Sequence, residues 1–331
     1  MTTGEGAGSG TRAGTLGLRL LASPLNLTIL EALAEKSKTL DGLRRLAGSL
    51  PSAEMQRRLE ELMRIGVVEG RRLDAFSGSA KFGLTASGQG LLDVGAVLGR
   101  WLAMTPGGGL RLGEEAAAEQ VLTVSDGWSA DLVRVLAAEP LSPDVAKHLM
   151  SGIDPRQLER VLDGISRGGL AEPIDDRDPP SYRPTRLLAL AIAPLAASAQ
   201  WEQVNGVPGA GAISRFDVEA AFLLATPLVP LPHQADGTCR LAVEVPGAAG
   251  RRPAAGVFVT VERGRVVSCV TSLGGQPSSW VTGSPTAWLA AVVDGRTEGL
   301  VVNGSGPLAP SLLSGLHTAL FGPERPPLNP T

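Results

Sequence analysis

Ser52, Gln56, Arg57 and Arg58 lie in a stretch, 51–65, whose apolar residues Met55, Leu59 and Leu62 recur at helical spacing. That spacing turns the apolar residues to one side and Ser52, Gln56 and Arg57 to the other, with Arg58 at the edge. Arg and Gln grip the edges of guanine and adenine with paired hydrogen bonds, so this face has the chemistry of base readout in DNA. Arg44 and Arg45 upstream, and Arg71, Arg72 and Lys81 downstream, are placed to meet phosphates. A merely solvated face is the competing account of one basic helix. Basic residues on three successive elements favour contact with nucleic acid.

Catalytic chemistry has no comparable support. His148, His233 and His317 are scattered, without the His/Cys/carboxylate spacing of a zinc site. No Gly-x-Gly-x-x-Gly follows a strand and opens a helix, and there is no P-loop. Gly283 and Ser284 lack the Gly-x-Ser-x-Gly frame of a nucleophile elbow. The glycines after Thr105 read as a linker rather than a phosphate cradle. The expectation is a non-enzyme without cofactor or metal.

The elements that must carry the basic residues read as follows. Leu18 to Glu35 has a helical pattern, and Thr39 to Ala47 a second, short one, with Thr39 or Asp41 near its start. Gly48 to Leu50 make a turn. Pro51 suits the first position of the third helix, where its missing N–H is no loss, and Gly66 suits the end of it. Val67 to Arg72 and Lys81 to Leu84 read as two strands around a Ser/Gly-rich tip, and Ala86 to Met104 as a closing helix.

The same object then recurs. A shift of 103 positions sets Leu33 on Leu136, Leu46 on Leu149, Leu59 on Leu162, Leu62 on Ile165 and Gly66 on Gly169. Such a repeat fixes the architecture before any residue is interpreted. A short helix at Glu114–Leu122 leads into the second copy. Its helices read as Trp128–Ala138, Ser142–Met150 and Asp154–Arg167, the last opened by Asp154, Pro155 and Gln157 in a capping-box pattern. Its hairpin runs from Leu170 to Pro184 and its closing helix from Thr185 to Gln203. Trp101 and Trp201 fall in equivalent places, at an offset of 100, because the second hairpin is shorter.

The copies differ in charge. Residues 1–104 carry 13 basic and 10 acidic side chains, residues 105–204 carry 9 and 15, and residues 205–331 carry 8 of each. The total of −3 therefore hides a basic first copy and an acidic second one. Asp175, Asp176 and Asp178 on the second hairpin would meet phosphates with negative charge, so the second copy is expected to contact DNA little or not at all. The alternative is a pair of units that read adjacent half-sites.

The last third differs in kind. Phe216–Ala225 is helical, followed by strand-like runs at Cys239–Val245, Gly256–Glu262, Val266–Ser272 and Ser279–Thr282. A helix at Pro285–Val293, a strand at Gly299–Val302 and a helix at Pro307–Phe321 complete it. This predicts an α+β domain with an antiparallel sheet, with Gly264 in a hairpin turn. Cys239 and Cys269 lie in apolar runs and read as buried, reduced thiols. Residues 1–13 are Gly/Thr-rich without an apolar core, which predicts a disordered tail and no secretion signal. The longest apolar run, Leu187–Ala197, is too short to span a bilayer. The expected location is cytoplasmic.

Both copies resemble the HxlR-type winged-helix regulators, relatives of the MarR group. In the second copy the resemblance rests on Trp128, Leu141, the run from Gln157 to Leu170, and Tyr182 to Thr185. In the first it rests on Phe82 to Thr85 with Gly88. It covers roughly residues 20–104 and 125–203; known members carry one unit and dimerise. The last domain resembles a sterol-carrier-protein-2-like module in the run Trp280–Gly295, in Gly299–Gly306 and in the amphipathic Leu308–Phe321. That resemblance implies an apolar cavity for a lipid-like or polycyclic molecule, with Phe222, Phe258, Trp280, Trp288, Leu316 and His317 as candidate lining. Ordinary core packing is the competing account of each.

The expected fold is mainly α with α+β: two tandem winged helix-turn-helix domains at 14–104 and 125–204, then an α+β module at 214–322. Linkers occupy 105–124 and 205–213, and a second tail 323–331. The expected function is a ligand-responsive transcriptional regulator, a repressor, contacting operator DNA through its first unit and sensing a hydrophobic small molecule. The resemblance also implies a setting beside export, resistance or biosynthesis genes. The expected partners are double-stranded DNA and the effector, with no membrane and with homodimerisation open. The alternative is a protein that sequesters a lipophilic compound and uses the helical units as scaffold.

Overall fold

The computed structural model describes residues 12–48, 50–72, 80–127, 130–138, 155–174, 180–247, 250–271, 275–304 and 306–322. Residues 1–11 of the first tail, the second tail, the first hairpin tip, Trp128, Leu141, the short helix expected at Ser142–Met150 with His148, Asp154, and Asp175 to Asp178 lie outside these residues. The chain is a mixed α/β protein.

The first repeat opens with α1 (Thr15–Ala22) and α2 (Pro24–Glu35), two helices bent by 89° where one was expected. Pro24 causes the break. It disfavours helical backbone at Ser23, which is extended and instead caps α2, its hydroxyl accepting from Asn26 N. A two-residue strand, β1 (Lys38–Thr39), precedes α3 (Leu40–Leu46), capped by Thr39 through Gly42 N at 3.2 Å. The third helix is α4 (Ser52–Ile65). Pro51 is its N-cap rather than its first helical residue, and Gly66 closes it at φ 88°. β2 (Val68–Arg72) and β3 (Ala80–Leu84) form the hairpin, β1 adds to it in the order β1-β3-β2, and α5 (Ala86–Leu102) closes the unit.

The second repeat comprises α6 (Glu115–Gly127), α7 (Ala130–Ala138), α8 (Pro155–Arg167), the strands β4 (Ala171–Pro173) and β5 (Tyr182–Pro184), and then α9 (Arg186–Leu190) and α10 (Ile192–Val204). α6 is longer than the expected short helix and stands where α1 stands in the first copy. The closing helix is broken at Ala191, three residues before Pro194, which has no N–H to continue the ladder. The repeat extends to single hydrogen bonds. Thr85 Oγ1 donates to Gly66 O at 2.7 Å, and Thr185 Oγ1 to Gly169 O at 2.7 Å. Val67 N donates to Leu62 O, and Leu170 N to Ile165 O. Each threonine also caps the closing helix that follows it. Burial follows the helical spacing: Met55, Leu59 and Leu62 inside α4, Leu158, Leu162 and Ile165 inside α8.

The two repeats pack through α1, α5, α6 and α10. The indole N–H of Trp101 on α5 donates to Leu187 O at 3.0 Å. That of Trp201 on α10 donates to Ser87 O at 2.7 Å. Trp101 and Trp201 are 100 residues apart, and so are Ser87 and Leu187. The contact is thus reciprocal, as between two subunits of a symmetric dimer. Close approach of α1 to α10 depends on glycine. A Cβ on Gly17 would lie 2.4 Å from Ser198 Oγ, and one on Gly14 2.4 Å from Leu195 O. Glu202 on α10 is 1% exposed and accepts from Gly14 N at 2.7 Å and Gly17 N at 3.0 Å, which satisfies the free end of α1.

The last part opens with α11 (Arg215–Ala225), whose Ser214–Asp217 capping box is complete. Its sheet comprises β6 (Gly237–Gly247), β7 (Gly250–Glu262), β8 (Arg265–Val270), β9 (Ser279–Gly283) and β10 (Leu300–Gly304), in the order β10-β9-β6-β7-β8. α12 (Pro285–Asp294) and α13 (Leu308–Phe321) complete it. The expected antiparallel sheet is in fact mixed, because β9 crosses to pair parallel with β6. The β7–β8 hairpin turns at Arg263 (φ 49°) and Gly264 (φ 73°), both left-handed as a type I′ turn requires. Among the described residues no single helix is long and apolar enough to cross a membrane.

Candidate functional site

The basic candidates of the first repeat lie on α3, α4 and the β2–β3 hairpin, elements that pack against one another. Ser52, Gln56 and Arg57 are exposed on α4, and Arg58 is half-buried at its edge. Arg44 and Arg45 lie on α3. Arg71 and Lys81 face each other directly across β2 and β3, both exposed. Like charges in that register repel unless an anion lies between them. The side chain of Arg72 falls outside the described residues.

Most of these cations already hold carboxylates. Arg57 is bidentate to Glu54, at 2.6 and 3.1 Å. Arg58 meets Glu61 at 3.0 Å and Glu54 at 3.7 Å. Gln56 donates to Glu60 at 3.1 Å. Arg44 meets Asp41 and also donates to Leu50 O, at 2.9 Å; Arg45 donates to Asp41 O; Arg71 meets Glu69 at 2.9 Å. The Arg57 hydrogen bond, with the charges of Arg57 and Arg58, holds the Glu54 carboxyl below its ordinary value. On α4 three arginines (57, 58, 64) balance three glutamates (54, 60, 61), so the helix is neutral overall. Sequence reasoning attended to the basic side chains and missed their partners, although i, i+3 and i, i+4 spacing would have found them. Such exposed pairs exchange at little cost.

An apolar cavity among the described residues takes in only part of the expected lining. It has a volume of about 80 Å³ and lies where α10 meets α11 and α12. From α10 it takes Ile192, Leu195, Ala196 and Ala199, a single stripe at helical spacing. α12 adds Trp288, Leu289 and Val292. Phe222 of α11 meets Trp288 edge-to-face, with ring centroids 4.6 Å apart. The Trp288 N–H is committed to Ala242 O at 2.9 Å, so its ring is purely a wall. Asp217, on the same cavity, accepts from the backbone and hydroxyl of Ser214.

Of the six predicted lining residues, Phe222 and Trp288 face this cavity and four do not. Leu316 is 1% exposed in the core. His317 meets Val292 O through Nδ1 and stacks on Phe321. Phe258 and Trp280 lie on the other face of the sheet, in one row with Arg240 between them. The α10 stripe escaped sequence reasoning. Its signal was the run Leu187–Ala197, apolar on every side, which marks a helix buried on more than one face.

Arg134 of α7 pairs with Glu219 of α11, which is 3% exposed and also accepts from Gly256 N at 2.6 Å. The Arg134 guanidinium lies 4.7 Å from the centre of the Phe216 ring. This cluster joins the second repeat to the sheet. Cys239 is buried and Cys269 half-buried, and burial pushes the two thiols up to about 11 and about 12. Among the described residues no group of His, Cys, Asp and Glu could hold a metal ion. No known protein family matches the chain, and no curated protein is similar to it.

Proposed function

We propose that the chain is a ligand-responsive DNA-binding regulator, a repressor of the HxlR type, in which two winged-helix units are fused into one intramolecular pseudo-dimer. α4 enters the major groove and β2–β3 acts as the wing. The observation that carries this reading is the set of solvent-accessible side chains Arg44, Arg45, Gln56, Arg57, Arg71 and Lys81 on α3, α4 and the β2–β3 hairpin, which pack against one another. Reciprocal tryptophan bonds support the pseudo-dimer, since they give one chain the symmetric helix pairing otherwise supplied by two. The α+β part, similar to a sterol-carrier-protein-2-like module, contributes to sensing a hydrophobic effector. The protein works in the cytoplasm, on double-stranded operator DNA.

The carboxylates on α4 favour a second reading, a sequestration protein that uses its helical units as scaffold. Fluorescence anisotropy separates the two. Labelled fragments from upstream of the protein's own gene are titrated with wild type and with Arg57→Ala/Arg58→Ala across a salt series. Binding that resists competitor DNA, weakens steeply with salt and is lost in the double variant supports the regulator. Binding no tighter than the non-specific level of about 10⁻⁴–10⁻⁶ M supports sequestration.

A further inference from the structure

The helix α10 has two working faces. Ser198, Trp201 and Glu202 point into the pairing of the repeats, through Gly17, Ser87 and the start of α1. Ile192, Leu195, Ala196 and Ala199 form the adjoining stripe and wall the cavity, with Leu195 two turns before Glu202 on the same side of the helix. One element therefore borders both the cavity and the contact that fixes the two repeats, and Ala13, just before α1, also lines the cavity. Gln200 ties the same helix to Asp294 at the end of α12, on the cavity's far wall.

The lining sets the chemistry of an occupant. Ala196, Ala199 and Ala221 are small where larger apolar residues would fill the space. About 80 Å³ is several times the roughly 10–15 Å³ that one water requires, and the walls are apolar, so an apolar ring suits the site better than water. Asp217 is the single ionisable residue of the lining, and neither lysine nor arginine is among it. An anion would lose its hydration there and meet a carboxylate; an amine would gain a partner.

We propose that this cavity binds a compact apolar ring compound, neutral or carrying one amine, and that its occupancy shifts α10 against α5 and so resets the DNA-reading surface. The second half rests on the regulator reading above; the first half does not.

The test uses the full chain and three compounds with one ring system: tryptamine, tryptophol and indole-3-acetate. Calorimetry is expected to rank the amine first, the alcohol second and the acid last, with at least a tenfold spread. Ala196→Leu and Ala221→Leu, which fill the cavity, should lose tenfold or more in binding while melting no lower than wild type. Asp217→Asn should remove the preference for the amine. Equal binding of the three compounds, no binding, or filled variants that bind like wild type would overturn the site. Anisotropy with operator DNA then tests transmission. A change in DNA affinity on adding tryptamine, absent in Ala196→Leu, supports it; ligand binding that leaves DNA affinity unchanged overturns it. Failure of the unliganded protein to bind DNA removes the regulator reading and leaves the site standing on the calorimetry.

Discussion

Trp101 and Trp201 make the same contact from opposite ends of one helix pair, each donating its indole N–H to a carbonyl in the first turn of the other repeat's closing helix, at 3.0 and 2.7 Å. Trp101→Phe and Trp201→Phe should therefore cost similar amounts. Each loses one hydrogen bond between the repeats, worth about 0.5–1.5 kcal/mol, while Leu187 O keeps the backbone N–H of Ala191. Urea denaturation of the two variants measures this. A cost confined to one of them would show that the symmetry is geometric and not energetic.

On the regulator reading proposed above, the carboxylates of α4 compete with DNA phosphates for the same arginines. Glu54 holds both Arg57 and Arg58, so Glu54→Gln should tighten DNA binding a few-fold and steepen its dependence on salt. Arg57→Ala/Arg58→Ala should do the reverse. Anisotropy titrations at several salt concentrations read both; weaker binding by Glu54→Gln would place the glutamate in the interface itself.

Glu219 serves two groups, Arg134 and Gly256 N. Removing one partner of a buried pair costs about 3–5 kcal/mol. Glu219→Ala should lie in that range. Arg134→Ala should cost less, because the guanidinium is only partly buried and Gly256 keeps its acceptor. Thermal melts rank them, and the opposite order would mean that the stacking on Phe216 dominates.

Burial pushes the Glu202 carboxyl above its ordinary value of 4.5, against the pull of the Gly17, Gly14 and Leu16 N–H groups and the Ser198 hydroxyl. A carboxyl raised in the folded state is harder to ionise there than in the unfolded chain. Its contribution is full below the ordinary value and declines as pH climbs through the raised one. Wild-type stability should thus fall relative to Glu202→Gln from about pH 4.5 upward. Paired melting curves over pH 4–8 check it, and a flat or opposite difference would show that the N–H groups outweigh burial.

The helical repeats were legible because their signals are local. Gly66 and Gly169, the tryptophans and the apolar spacing of α4 and α8 each announce an element within a few residues. Pro24 and Pro194 also announced breaks, but a continuous apolar pattern across them reads as one helix until the backbone is seen. The parallel pairing of β9 with β6 was beyond reach, since local patterns do not say which strand a distant one joins. The cavity lining was legible only in part for the same reason: Phe222 and Trp288 sit on it because of where α10 runs, and α10 belongs to another repeat.

Fusion of the two units has a consequence for how they change. In a homodimer every substitution appears twice, so neither half can improve without imposing the same change on its mate. Joined in one chain, the halves accumulate differences independently. Leu102 ends the first closing helix as an ordinary core residue, while its counterpart Glu202 caps a helix. Pro194 breaks the second closing helix, whereas the first runs unbroken from Ala86 to Leu102.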